Sequence, residues 1–260
     1  MRRLQLIELQ DLPRFPTVWR NLLTDFIGWY ATAFRPYRLV AQVLAEALRS
    51  AGTTHIVDLC AGGGGPLLDL KPALDRALGT RVSVTLTDKY PNLDAFQLAA
   101  SRFPGDIHFA PESVDATTVR ATLTGFRTLF TSFHHFPPEQ ARAILADAVQ
   151  NRQGIGVFEF TERRPLVWAL PLLFTPALVW CVTPWIRPLT WRRLLWTYVV
   201  PVVPLATAFD GLVSVLRSYS VDELRALARG LDGSGYGWQT GSVRSSGASR
   251  VTYAIGVPAT

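Results

Sequence analysis

Lysine is almost missing from this sequence. Lys71 and Lys89 are the only two in 260 residues, so the net charge of +6 and the isoelectric point of about 9.7 rest on arginine. A nucleic-acid-binding chain more often gathers its basic residues along one face. Here they are scattered, and no nucleic-acid partner is expected. Two tight pairs, Arg163-Arg164 and Arg192-Arg193, border the most apolar stretch of the chain, a placement that suits an acidic membrane surface. Cysteine is scarce too. Cys60 and Cys181 stand alone, which excludes a disulfide framework and a zinc ribbon, and no metal is expected. A clean apolar leader is lacking: in "MRRLQLIELQDLPRF" the run is broken by Glu8 and Asp11. The segment does not read as a signal peptide, and a reducing cytoplasm is the expected compartment. There is no internal repeat. Charged residues make up 18% of the chain and hydrophobic ones 48%. That balance argues against disorder and suits one large domain, or one domain with a substantial insertion.

What is present is an alternation of two periods. Residues 17–33 and 37–50 carry apolar side chains at helical spacing. Five short β-branched or aromatic runs follow, at 54–60, 81–88, 106–110, 127–133 and 154–160. Helix-like stretches at 66–79, 91–102, 113–124 and 137–150 separate them. Strands alternating with helices predict an α/β fold with a parallel sheet covered on both faces. Near the carboxyl terminus, "SVDELRALARG" opens on Ser220 and Glu223 at capping-box spacing. Strand candidates at 236–240 and 250–257 then flank the connector "GSVRSSGAS", as a closing antiparallel hairpin would.

The stretch "IVDLCAGGGGP" (56–66) sets four glycines in a row behind the first strand. Glycine loses more freedom on folding than any other residue, so such a run implies a tight turn or a close approach to the backbone. Ligands of open α/β sheets bind beyond the carboxyl ends of the strands, where strand order reverses. A dinucleotide loop wants G-x-G-x-x-G; Gly62 and Gly64 satisfy the first pair, but Leu67 holds the third position. Asp58 directly before the loop favours a ligand bearing a cationic amine.

These features resemble the class I S-adenosylmethionine-dependent methyltransferases of the small-molecule type. In that family an acid ends the first strand and G-x-G-x-G follows; Asp58 takes the acid, and Cys60, Gly62 and Gly64 take the glycine positions, the first of them substituted. "LTDKYPN" supplies Asp88 for the ribose hydroxyls, "PESVDA" supplies Asp115 and Ala116 near adenine, and "FTSFHHFPP" lies beside the reacting methyl. The resemblance covers residues 50–160 by motif and 220–257 by topology. It implies a Rossmann-like seven-stranded sheet, mostly parallel, with an antiparallel C-terminal hairpin and an apolar helical insertion after strand five. It also implies that S-adenosylmethionine lies against Asp58, Cys60, Ala61, Gly62, Gly64, Asp88, Lys89, Asp115, Ala116 and Ser132, leaving S-adenosylhomocysteine as product. The expected division is an N-terminal helical cap (1–50), a cofactor-binding core (51–164), the insertion (165–219), and a last helix with the hairpin (220–260).

Methyl transfer is an in-line displacement on an activated sulfonium, so the protein supplies mainly alignment. A hydroxyl acceptor also needs a base. His134 and His135, at the end of strand four, are the catalytic candidates, because a neutral imidazole is expected at pH 7. His55 and His108 lie within strands and read as structural. Tyr30, Phe133, Glu159, Trp196 and Asp210 are expected at the acceptor pocket. Glu159, as a buried carboxylate, should find Arg163 or Arg217.

Residues 166–186 contain no charge, and five of the eight tryptophans (168, 180, 185, 191 and 196) fall between 165 and 219. A lid over the reaction site, taking an apolar or aromatic small molecule, and peripheral membrane contact through 165–200 are both compatible with this. Pro171 and Pro176 interrupt the run and argue against a span. Two other functions stay open: a cofactor-binding protein that catalyses a non-methylating reaction such as a cyclisation, and a membrane-associated adapter with a degenerate nucleotide site. The acceptor atom and the oligomeric state are not set by the sequence.

Overall fold

The computed structural model describes residues 2–231, 235–244 and 250–259, without the side chains of residues 165–167 and 170. Residues 245–249 of the expected Gly/Ser connector lie outside the described residues. The sheet comprises β1 (His55–Asp58), β2 (Ser83–Leu86), β3 (Ile107–Phe109), β4 (Phe126–Phe130), β5 (Ile155–Glu159), β6 (Tyr236–Arg244) and β7 (Arg250–Pro258), in the order β3-β2-β1-β4-β5-β7-β6. β1 to β5 run parallel, and β7 is antiparallel to both of its neighbours. The seven-stranded, mostly parallel sheet with an antiparallel C-terminal hairpin is therefore as expected. β6 runs on to Arg244, so the first residues of the expected connector are strand. The order reverses between β1 and β4, and their carboxyl ends frame the ligand crevice of this sheet class.

The helices are α1 (Thr17–Phe34), α2 (Val40–Ser50), α3 (Gly65–Leu78), α4 (Leu93–Arg102), α5 (Pro138–Gln150), α6 (Pro165–Val182), α7 (Trp191–Leu194), α8 (Val202–Arg217) and α9 (Val221–Ala228). Successive strand residues point to opposite faces. Ile56 joins α2, α3 and α4 in one core cluster, while Val57 joins α5 and α9 in the other. Asn92 caps α4 by accepting from the Ala95 amide at 3.3 Å. The Ser220–Glu223 capping box forms as its spacing implies, with both reciprocal bonds present.

The helix expected at 113–124 does not form. Asp115 Oδ1 accepts both the Thr117 amide (2.9 Å) and the Thr117 hydroxyl (2.6 Å), a local bond that competes with a helix. The irregular segment still buries Val114, Ala116 and Val119 in the cluster that holds Val57 and Leu129, while at the other end of the strands His55 Nδ1 meets the Ser83 hydroxyl at 2.7 Å and its Nε2 meets Thr85 at 3.3 Å.

A third apolar cluster joins α1 to the insertion: Leu22, Leu23 and Phe26 with Val179, Ile186, Val203 and Ala206. α6 continues through both of its internal prolines, which the sequence reading took as interruptions. Among the described residues no single helix is long and apolar enough to cross a membrane; the segment Trp191–Val199 and α8 form an apolar pair bent by 74°.

The glycine run divides its labour. Gly62 and Gly64 take φ of 54° and 71°, the left-handed region, and supply the turn. At Gly63 and Gly65 it is α1 that approaches, rather than a ligand. A Cβ on Gly65 would stand 2.6 Å from the Gly28 Cα, and one on Gly63 would stand 2.9 Å from the Thr24 carbonyl. Gly65→Ala is therefore expected to cost about 1–3 kcal/mol through a backbone clash. A Cβ on Gly28 itself meets nothing nearer than 3.5 Å, so Gly28→Ala should be neutral or stabilise by up to about 1 kcal/mol. Urea unfolding midpoints of the two variants check the contrast.

Candidate active site

β1 ends on Asp58, whose Oδ1 accepts the Thr128 hydroxyl of β4 at 2.6 Å. Burial pushes the Asp58 carboxyl up to about 7; the Thr128 bond opposes this and nearby Asp88 adds to it. Its side-chain donor is neutral, so a cation beside it would stabilise the charged form. Cys60 follows with φ of 58°. The substituted position thus keeps the backbone angle a glycine would take, at a cost of about 1–2 kcal/mol. Burial also pushes the Cys60 thiol well above its ordinary range, so it stays protonated.

Asp88, just beyond β2, ties the loops together. Its Oδ2 accepts the Gly62 amide at 2.9 Å and its Oδ1 accepts the Tyr90 amide at 2.8 Å. The Ala61 amide reaches the Thr87 carbonyl, and the Val114 amide reaches the Asp88 carbonyl, each at 2.9 Å. Lys89 pairs with Asp115 at 3.1 Å. The Thr117 bonds hold the Asp115 carboxyl below its usual range, with Lys89 helping against partial burial. Asp58, residues 60–64, Asp88, Lys89 and Asp115, with buried Ala116, thus gather at the carboxyl ends of β1, β2 and β3. Ser132, beyond β4, is buried and its hydroxyl has no hydrogen-bond partner among the described residues. Arg20 of α1 lies over the Tyr90 ring, 4.0 Å from its centre, and so approaches the Asp88 turn.

His134 and His135 sit in a short 3-10 turn after β4 (Phe133–His135). His134 is 1% exposed, with Nδ1 at 2.6 Å from Glu159 Oε2. Burial alone would lower its pKa, but Glu159 and then Glu8 outweigh it and raise the value to about 9. The imidazole expected to be open to the crevice at this position is instead enclosed between the Glu159 and Glu8 carboxylates, which favour its protonated form. His135 keeps an exposed edge, with Nδ1 at 2.6 Å from Asp11 Oδ1.

The five residues expected at the acceptor pocket all make contacts within the chain. Glu159 is fully buried and accepts the Phe133 amide at 2.7 Å and the His134 amide at 3.2 Å. Its partner is His134; Arg163 instead pairs with Glu223, and Arg217 with Asp11. Asp210, within α8, accepts the Leu9 amide at 2.7 Å and the Gln10 amide at 3.3 Å, anchoring the N-terminal segment. Burial pushes the Asp210 carboxyl up to about 6 against those bonds. Phe133 is buried against Tyr219, and Trp196 packs edge-on to Trp19. Tyr30, half-buried, bridges Phe34 and Phe160.

Sequence reasoning missed the N-terminal contributors. Glu8 is 1% exposed, beside His134, His135 and Arg217. Arg217 donates from Nε to the His134 carbonyl at 3.2 Å and also to the His135 carbonyl. Arg3 reaches the His134 and Phe136 carbonyls at 3.0 and 3.1 Å. The signal was present: Glu8 and Asp11 are the acids that break the opening apolar run.

No protein-family model matches the chain, and no curated protein matches it. Among solved structures it is similar to the plantazolicin methyltransferase BpumL in complex with S-adenosylhomocysteine, at TM-score 0.53 and 10% identity over 93% of this chain and 96% of that one. It is similar at TM-score 0.53 and 17% identity to a candidate O-methyltransferase from Nostoc punctiforme, over 94% of this chain and 61% of that one. A candidate zinc-dependent alcohol dehydrogenase from Rhodobacter sphaeroides is similar at TM-score 0.52 and 12% identity, over 93% and 98% of the two chains. The chain thus spans about three fifths of the Nostoc protein's length. At these identities the likeness is one of fold, a Rossmann-like seven-stranded α/β fold that the chain shares with those structures.

Proposed function

We propose that this protein transfers a methyl group from S-adenosylmethionine to a small apolar or aromatic acceptor. The observation that carries the reading is Asp88, a carboxylate hydrogen-bonded to the Gly62 amide of the glycine turn. It sets a ribose-binding acid against the loop that would carry the rest of the nucleoside. The residues present fit the cofactor: Asp58 has a raised pKa and a neutral donor, and the Ser132 hydroxyl is buried and unpartnered. Asp58 would receive the ammonium group, Asp88 the ribose hydroxyls, and the Asp115–Ala116 turn the adenine. The cofactor supplies an activated methyl group. The chain's part is to hold that group in line with the acceptor and to keep water away, and alignment alone is worth about 7–11 kcal/mol. Calorimetric titration with S-adenosylmethionine tests the reading, followed by detection of S-adenosylhomocysteine in the presence of apolar aromatic acceptors. Absence of binding overturns it in favour of an adapter, and binding without that product points to a non-methylating reaction.

The insertion adds a reading of where the acceptor comes from. Residues 163–209 hold five arginines and no acid. Trp185 and Trp191 are each 67% exposed and Val199 is 73% exposed, with exposed Arg187 and Arg192 near them in sequence. Exposed tryptophan beside arginine favours the headgroup level of an anionic bilayer. We infer that residues 165–219 cover the site and rest on such a surface, drawing a lipophilic acceptor from it. Cosedimentation with phosphatidylserine vesicles should exceed that with phosphatidylcholine vesicles, and the double variant Trp185→Ala/Trp191→Ala should bind at least fivefold less. Equal binding of the variant removes the membrane reading and leaves the transfer reaction untouched.

A further inference from the structure

We propose that Glu8, His134 and His135 form a binding site for one divalent transition cation of the zinc type. The three residues come from two distant parts of the chain. Glu8 belongs to the N-terminal segment, which the Asp210 bonds hold in place, and the histidines belong to the turn after β4. Each of the three offers one ligand atom, and these atoms all lie within 4.8 Å of one another.

The tautomers are prearranged for the task. His134 Nδ1 is held by Glu159 and His135 Nδ1 by Asp11, each at 2.6 Å. Both Nε2 atoms therefore turn toward the Glu8 carboxylate, at 3.3 and 3.5 Å. A carboxylate behind each imidazole is the usual outer support of a metal-bound histidine; it fixes the ring and makes the facing nitrogen a better donor.

The spacing separates a cation site from a knot held by protons alone. A charged N–H···O bond closes to about 2.7–2.9 Å, as the Nδ1 contacts do. The Nε2 contacts do not close, and the buried Nε2 of His134 makes no hydrogen bond among the described residues. Two ligands about 2.0–2.1 Å from one tetrahedral ion stand roughly 3.3 Å apart; His134 Nε2 lies 3.3 Å from Glu8 Oε1 and His135 Nε2 lies 3.5 Å from Glu8 Oε2. Charge points the same way. Glu8, Asp11, Glu159 and Asp210 bring four carboxylates to the cluster, against the guanidinium groups of Arg3 and Arg217. One divalent ion would balance the remainder. Imidazole nitrogen with a single carboxylate suits zinc and its first-row neighbours rather than magnesium or calcium. The quarter-exposed His135 ring gives the ion an approach from solvent.

The test uses the full untagged chain, stripped with a chelator and dialysed against Zn²⁺ alone, with metal content read by mass spectrometry. Co²⁺ serves as a parallel probe through its ligand-field absorption. One equivalent of zinc and a visible cobalt band are expected. Glu8→Gln and His135→Gln should each weaken zinc binding at least tenfold, Asp11→Asn should weaken it about 10–100-fold through the outer support, and His108→Ala should leave it unchanged. Absence of the cobalt band in the unmodified protein overturns the proposal whatever the variants do, as does equal zinc uptake by Glu8→Gln and the unmodified chain. Nucleoside binding is measured separately, so either result can stand without the other.

Discussion

Asp88→Asn should weaken S-adenosylmethionine binding by at least a hundredfold, read as Kd by calorimetry. The carboxylate already accepts two amides, from Gly62 and Tyr90, and in the proposed function it also accepts the ribose hydroxyls. Asparagine has one acceptor oxygen, so it can keep one amide bond and turns an NH₂ group toward the other amide. Hydrogen bonds to a charged group contribute about 1.5–3 kcal/mol each. Losing two costs about 3–6 kcal/mol, or roughly two to four decades of affinity. The fold should survive, because the Val114 amide bonds the Asp88 main-chain carbonyl and not the side chain. An unchanged circular dichroism spectrum with a lost titration signal is the expected pair of results. A Kd within threefold of the unmodified protein would mean that the sugar lies elsewhere.

The second large effect is one of pH. Burial pushes the Asp58 carboxyl up to about 7. A bound ammonium group favours the ionised form, so below pH 7 binding must first expel a proton. The Kd for S-adenosylmethionine should therefore rise about tenfold per unit as pH falls from about 7 to about 5, and flatten above 7. Asp58→Asn should bind weakly at every pH, without this slope. The stability of the ligand-free protein moves in the opposite direction. A carboxyl whose folded pKa is raised binds more protons folded than unfolded, so its contribution is fully present below the unfolded value, near 4, and is lost as pH rises through the folded value. Tight binding and the stability of the empty fold thus pull apart across the same window. A slope shared by Asp58→Asn would assign the titration to another group.

Local signals carried the sheet well. The alternation of Val82, Val84 and Leu86, and the Ser220–Glu223 cap, depend on neighbours a few residues away, and both appear where the spacing puts them. The helix expected at 113–124 failed for a reason equally local but easy to overlook, the Asp115–Thr117 turn. What the sequence could not show is contact at a distance. The four-glycine run implies a close approach to the backbone, but not that at Gly63 and Gly65 the approaching group is α1. Glu159 looks like a partner for arginine until the turn after β4 closes over it with two amides and an imidazole. Glu8 reads as an interruption in a leader, although it is the residue on which both histidines converge.

The clasp between the N-terminal segment and α8 fixes an order of events during synthesis. Leu9 and Gln10 have no Asp210 to bind, and Asp11 has no Arg217, until about two hundred further residues have left the ribosome. The bonds of the glycine turn and of Asp58 need no residue beyond β4, whereas the contacts of Arg217 with the histidine turn wait for α8. The earliest residues translated are thus among the last to settle, and a nascent chain stalled before residue 210 would hold the glycine turn and the Glu159–His134 contact without the clasp that brings Glu8 to them.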